Sequence, residues 1–451
     1  MVIDWEAVRA EVTGYLQALI RIDTTNPPGN ESKAARYLEG ILRQEGFDPL
    51  FVESAPERGN VLARLSGGDE PPLMLLGHTD VVAAEPEHWT HPPFSGALAD
   101  GCVWGRGALD MKNMVAANLM VLLLLQREGV RLNRDLIFAA TADEEAGKGN
   151  HGPGWIIDNR PELWDAPLII TEGGGSDFSV GEQRFYTCQT GQKGLCRLRL
   201  IARGRPGHGS MPHGDSAIVK LSKALAGLEG AVFPAHVSAS VHRFVEGIAS
   251  RRPAAEAALW QQVLDPATSD AALRDLPIGN TLRRELGAVL HNTASATMVQ
   301  AGSKINVIPG EATAWIDGRL VPGQTAESFA AELRAFVGNE VAIEIDQYTP
   351  PLEASSDTPL FQTIVEVMQE REPDAPVLPY LMPAGTDAKH IVPRRPETQI
   401  YGFMPYRQQL GEEEMTLIHG HDERIPVKEL LFATQVLYEI VCRFGGLNTP
   451  P

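Results

Sequence analysis

The sequence predicts an α/β protein: a mostly parallel sheet with helices on both faces, interrupted by a smaller α+β domain. Three observations lead there. Short, continuously apolar runs, "LMLL" (73–76), "DLIFAAT" (135–141) and "APLII" (166–170), alternate with helical segments such as 111–127, as parallel strands buried on both faces do. Each run ends in acids or an imidazole: His78 and Asp80, then Asp143, Glu144 and Glu145, then Glu172. Near residue 190 the pattern changes, and "GLCRLRLIARG", "ATAWIDGRLV" and "VAIEIDQY" alternate apolar with polar residues, as an antiparallel sheet with one solvated face requires.

Taken in order, residues 4 to 22 and 30 to 46 have helical periodicity, with "DTTNPPGN" as the loop between them. The stretch 114–125, "MVAANLMVLLLL", is the longest apolar run; its 12 residues are too few to span a bilayer and read as a buried helix. Helical stretches at 216 to 229 and 325 to 337 accompany the alternating strands, and 249 to 290 reads as an added helical excursion. From about Tyr348 the first pattern returns: a helix (357–371), a strand "TQIYGF" (398–403), a loop containing His419 and a final helix (426–442). The expected organisation is a catalytic domain in two pieces, 1–190 and 349–451, split by a smaller α+β domain at 191–348.

At 451 residues the chain exceeds one ordinary core. With 43% hydrophobic and 22% charged residues it has a globular composition, and 39 basic against 58 acidic residues give a net charge of −19. That charge argues against nucleic acid or an anionic membrane as partner. It does not exclude an anionic substrate, provided bound cations reverse the local field. The four cysteines, Cys102, Cys188, Cys196 and Cys442, form no CxxC pair and read as free thiols; with no signal-peptide pattern in "MVIDWEAVRA", a cytoplasmic location is expected.

"LMLLGHTDVV" (73–82) raises the question of chemistry most sharply, because in a strand His78 and Asp80 share a face. A carboxylate beside an imidazole is how proteins present a metal ligand, and also an ordinary buried hydrogen bond. In open α/β sheets ligands bind at the carboxyl ends of strands, and three strands here deliver metal-type side chains to one edge. Two divalent ions close together need imidazoles and carboxylates with one carboxylate bridging, and a free carboxylate nearby to take a proton from water. The chain offers His78, Asp110 in "GRGALDMKN", Glu144 and Glu145, Glu172, and the histidines of "IHGHDERIPV".

In order, "GHTDVV", "GRGALDMKN", "ADEEAGKGNHG", "TEGGG", "GRPGHGSMPH", "NVIPG", "PAGTDAKH" and "IHGHDERIPV" resemble the co-catalytic zinc aminoacylase and carboxypeptidase family. The likeness spans nearly the whole chain and is greatest to the branch with carboxypeptidase S and the N-fatty-acyl-amino-acid hydrolases. The resemblance implies two zinc ions per subunit, with cobalt or manganese as possible substitutes. It implies that Asp110 bridges them, that Glu145 and His419 complete one site, and that His78 and Glu172 complete the other. Asp80 would orient the His78 ring and Glu144 would be general base, then general acid. The likeness makes 191–348 a lid and dimerisation domain, and His208 would stabilise the tetrahedral oxyanion from the partner subunit of a homodimer formed through it. The substrate, an N-acyl amino acid or short peptide, would place its carboxylate against Arg319, Asn306 and the backbone around Gly385 and Thr386. A cis peptide between Asp110 and Met111 is expected by the same likeness. Two competing readings are a two-metal phosphoesterase, which would favour a basic or glycine-rich phosphate cradle, and a metal-binding relative without catalysis, which would have no need of Glu144.

Overall fold

A computed structural model describes residues 3–146, 151–407 and 414–447. Residues 147–150, within the "ADEEAGKGNHG" stretch, therefore lie outside the described residues. The chain divides into two compact units: Met1–Thr190 with Ala354–Pro379 and Thr386–Pro451, and Gly191–Glu353 with Tyr380–Gly385.

In the first unit the parallel core has four strands, Arg134–Thr141, Glu70–His78, Leu168–Thr171 and Gln399–Gly402, paired in that order. Antiparallel strands extend it on either side: Arg58–Leu65 and Leu50–Ala55 beyond Arg134–Thr141, and Gln183–Gln192 beyond Gln399–Gly402. The hairpin over 50–65 was not legible in the sequence. Its strands mix charged and apolar residues without a clean alternation, and the pairing of Arg58–Leu65 with Arg134–Thr141 is a long-range contact.

Helix Lys112–Arg127 is buried along its length from Lys112 to Leu125, which is why its sequence is apolar on every side. Helices Trp5–Arg21 and Val427–Phe444 pack on it, and it lies against the strands Glu70–His78 and Arg134–Thr141. Each buried leucine there contributes roughly 1.5–3 kcal/mol to holding the helix on the sheet. Gly77 lets the helix come close, since a Cβ at that position would stand 2.8 Å from a Val115 methyl. The buried Lys112 ties the first helix down: its Nζ donates to the carbonyls of Leu19 (3.0 Å) and Ile22 (2.8 Å), closing that helix at its C-terminal end.

The second unit contains a four-stranded antiparallel sheet in the order Thr293–Ala301, Glu311–Leu320, Gly194–Arg203, Val341–Thr349. The expected alternation is present: Cys196, Leu198, Leu200 and Ala202 are buried, while Arg199 pairs with Glu344 (3.0 Å) and Asp346 (2.8 Å). Helices Ala217–Ala226 and Ala326–Val337 pack on this sheet, the latter opened by a Thr325–Ser328 capping box. The excursion over 249–290 contains three helices, Ala254–Val263, Ser269–Asp275 and Asn280–Leu290, and a further helix, Ala239–Ala249, leads into it.

Candidate metal centre

Strand Glu70–His78 ends at His78, strand Arg134–Thr141 runs on to Glu144 and Glu145, and strand Leu168–Thr171 runs on to Glu172. Asp110 stands two residues before the helix Lys112–Arg127, and His419 sits in a turn with φ 59°. The peptide between Asp110 and Met111 is cis. Side chains from these five places converge within the first unit into two groups that could each hold a metal ion: His78, Asp110 and Glu172, and Asp110, Glu145 and His419.

Asp110 belongs to both groups. Its Oδ1 is 3.2 Å from His78 Nε2, and its Oδ2 is 3.0 Å from His419 Nε2. Glu172 approaches His78 Nε2 to 3.5 Å, and Glu145 approaches His419 Nε2 to 3.2 Å. The donor set is nitrogen and oxygen only, which suits zinc and similar divalent ions.

The electrostatics suit cations as well. Burial pushes Glu145 up to about 7 and Glu172 up to about 8. Hydrogen bonds to Asp110 and Glu145 raise His419 to about 10. Burial works against a charged His78, but the carboxylates of Glu172, Asp110 and Asp80 raise it well above its ordinary value. Carboxylates crowded out of water around two imidazoles form a site that positive charge stabilises.

Asp80 does more than its sequence position suggested. The Nδ1 of His78 lies 3.0 Å from the Asp80 carbonyl oxygen and 3.5 Å from its carboxylate. The nearer partner is the backbone; donating there from Nδ1 leaves the Nε2 lone pair free for a metal. The carboxylate is occupied elsewhere: Oδ1 accepts from the Glu144 amide (3.1 Å), and Oδ2 accepts from the Glu145 amide (3.0 Å) and from Asn26 Nδ2 (2.8 Å). Burial opposes this charge, but contacts with His78, Asn26 and the Glu145 amide bring Asp80 down to about 2. Asp80 therefore fixes the turn that presents the paired glutamates.

Within that pair, Glu145 faces His419, whereas Glu144 is held by Lys389: Nζ donates to Glu144 Oε1 (2.6 Å) and to its carbonyl (3.1 Å). Lys389 belongs to "PAGTDAKH" and was not singled out in the sequence; nothing in its spacing distinguishes it from a solvated helix lysine. Glu423 and Arg106 were missed for a similar reason. The fully buried Glu423 carboxylate accepts from Arg106 (2.6 Å) and from the amides of Gly107 (3.1 Å), Leu109 (2.7 Å) and Asp110 (3.0 Å). It clamps the loop that aims Asp110, across a separation of 317 residues from Arg106 that no local pattern reveals.

The other candidates divide between the units. Thr386 is buried in the first unit, its hydroxyl accepting from the Ala388 amide at 3.3 Å, and Gly385 closes the Tyr380–Gly385 segment of the second. His208, Asn306 and Arg319 belong to the second unit. There the strands Gly207–His208 and Val307–Ile308 pair, bringing "GHGSMP" beside "NVIPG". The Ser210 amide donates to His208 Nδ1 at 3.2 Å, so the neutral ring carries its proton on Nε2. Asn306 is exposed and accepts from the Gly209 amide through its carbonyl (2.9 Å). The Arg319 guanidinium rests on Asp317 of its own strand (2.7 Å). His421, the other histidine of its motif, faces Glu85 at 3.2 Å and is absent from both metal groups.

The fold and site define an α/β protein with a candidate two-metal centre at the carboxyl ends of its parallel strands and a second, α+β unit. The sequence pattern of peptidase family M20/M25/M40 matches residues 74–443, and the chain belongs to this family. It is 28% identical to the N-fatty-acyl-amino acid synthase/hydrolase PM20D1 of Xenopus tropicalis, over 99% of this chain and 88% of that protein. It is also 28% identical to aminoacylase-1 of Sus scrofa, over 99% of this chain and 98% of that protein. Among solved structures, the M20 family metallo-carboxypeptidase Sso-CP2 from Sulfolobus solfataricus shares the fold, with a TM-score of 0.69 at 18% identity, covering 97% of this chain and 100% of that one.

Proposed function

We propose that this protein is a two-metal amidohydrolase that cleaves the amide bond of small substrates bearing a free carboxylate, N-acyl amino acids or short peptides. The observation that carries this reading is the Glu144–Glu145 turn: one carboxylate belongs to a metal group while its neighbour does not, and that neighbour is held in place by Lys389. A site that merely stored metal would have no use for the second carboxylate. A phosphoesterase fits less well, because "TEGGGSD" carries acids where a phosphate cradle needs donors.

Asp110, Glu145 and His419 would hold one ion, and His78, Asp110 and Glu172 the other. Such ions, zinc by the donor set with cobalt or manganese as substitutes, would polarise the scissile carbonyl and acidify a water molecule. Glu144 takes the proton from that water and returns it to the leaving amine. His208, protonated on Nε2, donates to the tetrahedral oxyanion. Arg319, Asn306 and the backbone at Gly385 and Thr386 receive the substrate carboxylate. PM20D1 and aminoacylase-1 are named for N-acyl amino acid chemistry, which supports that class over larger peptides.

The second unit is the lid and the homodimer contact in this reading. Strand Thr293–Ala301 is a sheet edge exposed along most of its length, with Met298 and Val299 each 61% exposed, and Ile218 and Val219 on the helix Ala217–Ala226 are exposed too. In this reading a second copy covers that edge across a two-fold axis, which would pair its open backbone groups. The buried free thiols Cys102, Cys188, Cys196 and Cys442 fit a reducing, cytoplasmic setting, and among the described residues no helix is long and apolar enough to cross a membrane. The test is a hydrolysis screen of N-acetyl, N-succinyl and long-chain N-acyl amino acids and dipeptides with zinc or cobalt added. Turnover of at least one class, abolished by chelation, is expected; metal-independent turnover or none would overturn the reading.

A further inference from the structure

The buried network beneath the Glu144–Glu145 turn has a guanidinium at its centre. Arg58 lies on the hairpin strand Arg58–Leu65, and its side chain is only 8% exposed. Nη2 donates to Asp143 Oδ1 at 2.5 Å and lies 3.0 Å from the fully buried Glu31; Nη1 donates to Asn26 Oδ1 (3.1 Å) and the Pro28 carbonyl (2.8 Å). Binding the Asn26 oxygen turns the amide nitrogen toward two carboxylates, Asp80 at 2.8 Å and Asp143 at 3.0 Å. Asp143 has φ 71°, a left-handed conformation that a non-glycine residue keeps only when its surroundings hold it. Those surroundings are Arg58, Asn26 and the His151 amide, which donates to Asp143 Oδ2 at 3.1 Å. The loop is built around the guanidinium: a Cβ on Gly29, in "NPPGN", would stand 1.9 Å from Arg58 Nη1.

We propose that Arg58 is a positioning residue for the hydrolytic reaction, acting through Asn26 and Asp143 to set the angle at which Glu144 and Glu145 are presented. Asp80 grips the turn from one side through the two amides, and Asp143 fixes the residue where the turn begins. Arg58, through Asn26, ties both carboxylates to one rigid group. A planar guanidinium reaches Asn26, Pro28 and Asp143 together, whereas a single ammonium cannot. The inference rests on the amidohydrolase reading of the site.

The test compares Arg58→Lys and Asn26→Ser with Val436→Ala, a core truncation in the C-terminal helix that destabilises without touching the network. Each is assayed at a temperature where circular dichroism shows it folded. Two quantities are read: kcat and KM on an N-acyl amino acid at saturating zinc, and zinc affinity by competition with a chromogenic chelator. Arg58→Lys and Asn26→Ser should lower kcat about tenfold to a hundredfold, the scale of losses when groups supporting metal ligands are removed, and weaken zinc binding. KM should move by no more than about twofold, because the substrate's own contacts are untouched. Val436→Ala should lower Tm alone. Should Arg58→Lys fail to fold, Asn26→Ser decides. Folded variants with wild-type kcat and zinc affinity overturn the proposal. If wild-type protein hydrolyses none of the substrates, the amidohydrolase reading falls, and the zinc titration still decides whether Arg58 sets the turn.

Discussion

Glu144 and Glu145 are adjacent, chemically identical, and placed in different surroundings. Glu145 lies against His419 in a metal group, while Glu144 meets the ammonium of Lys389. Glu144→Gln should therefore keep metal content and lose about two to four orders of magnitude in turnover, since it removes proton transfer and weakens the Lys389 contact without altering either metal group. Glu145→Gln should weaken metal binding instead. Metal analysis alongside kcat separates the two, and the reverse pattern would exchange their roles. Lys389→Met should lower kcat about tenfold to a hundredfold, the size of a lost hydrogen bond to a charged group, with Lys389→Arg recovering part of it. Equal kcat in wild type and Lys389→Met would remove any positioning role. Asp110→Asn should be the most damaging ligand change, because the carboxylate is shared by both groups; zinc stoichiometry after dialysis reports it directly.

At the scale of elements, the metal edge depends on two buried clamps. One is the Arg106–Glu423 pair, whose side chains are 2% and 0% exposed. Glu423→Gln leaves Arg106 charged and poorly partnered, and breaking one partner of a buried pair costs about 3–5 kcal/mol. A lower Tm is expected together with weaker zinc binding, because the Asp110 amide is among the groups Glu423 holds. A Tm loss with unchanged zinc affinity would show that the clamp serves only the fold. The other clamp is the helix Lys112–Arg127, which begins two residues after Asp110 and whose packing on the sheet needs Gly77 to be without a side chain.

For the whole molecule, the decisive question is whether the role proposed for His208 falls on its own chain's substrate or on a neighbour's. If the second unit dimerises and the sites are composite, mixing His208→Ala with Glu144→Gln protein should restore activity. Each homodimer lacks one essential group in both sites. In a mixed dimer one site lacks both groups and the other is intact, so random reassortment should give about a quarter of wild-type activity, by the two-fold symmetry of a closed pair. No recovery on mixing would overturn the composite-site reading, even if His208 proved essential.

By itself the sequence determined the architecture and pointed to the residues that gather into the two candidate metal groups. Apolar runs ending in His78, Glu144–Glu145 and Glu172 encode buried strands with chemistry at their ends, because local periodicity and strand termini are written in consecutive residues. The switch to alternation near residue 190 likewise marked the second sheet. The groups that hold the ligands were decided only in three dimensions. Arg58 and Asp143 are 85 residues apart, Lys389 and Glu144 are 245 apart, and Arg106 and Glu423 are 317 apart. A charged residue reads as a solvated surface group until folding removes its water, and only burial makes its partner obligatory. The hydrogen bonds of Asp80 show the same division: its place beside His78 was legible, but that its carboxylate grips the glutamate turn depended on which amides the fold brought to it.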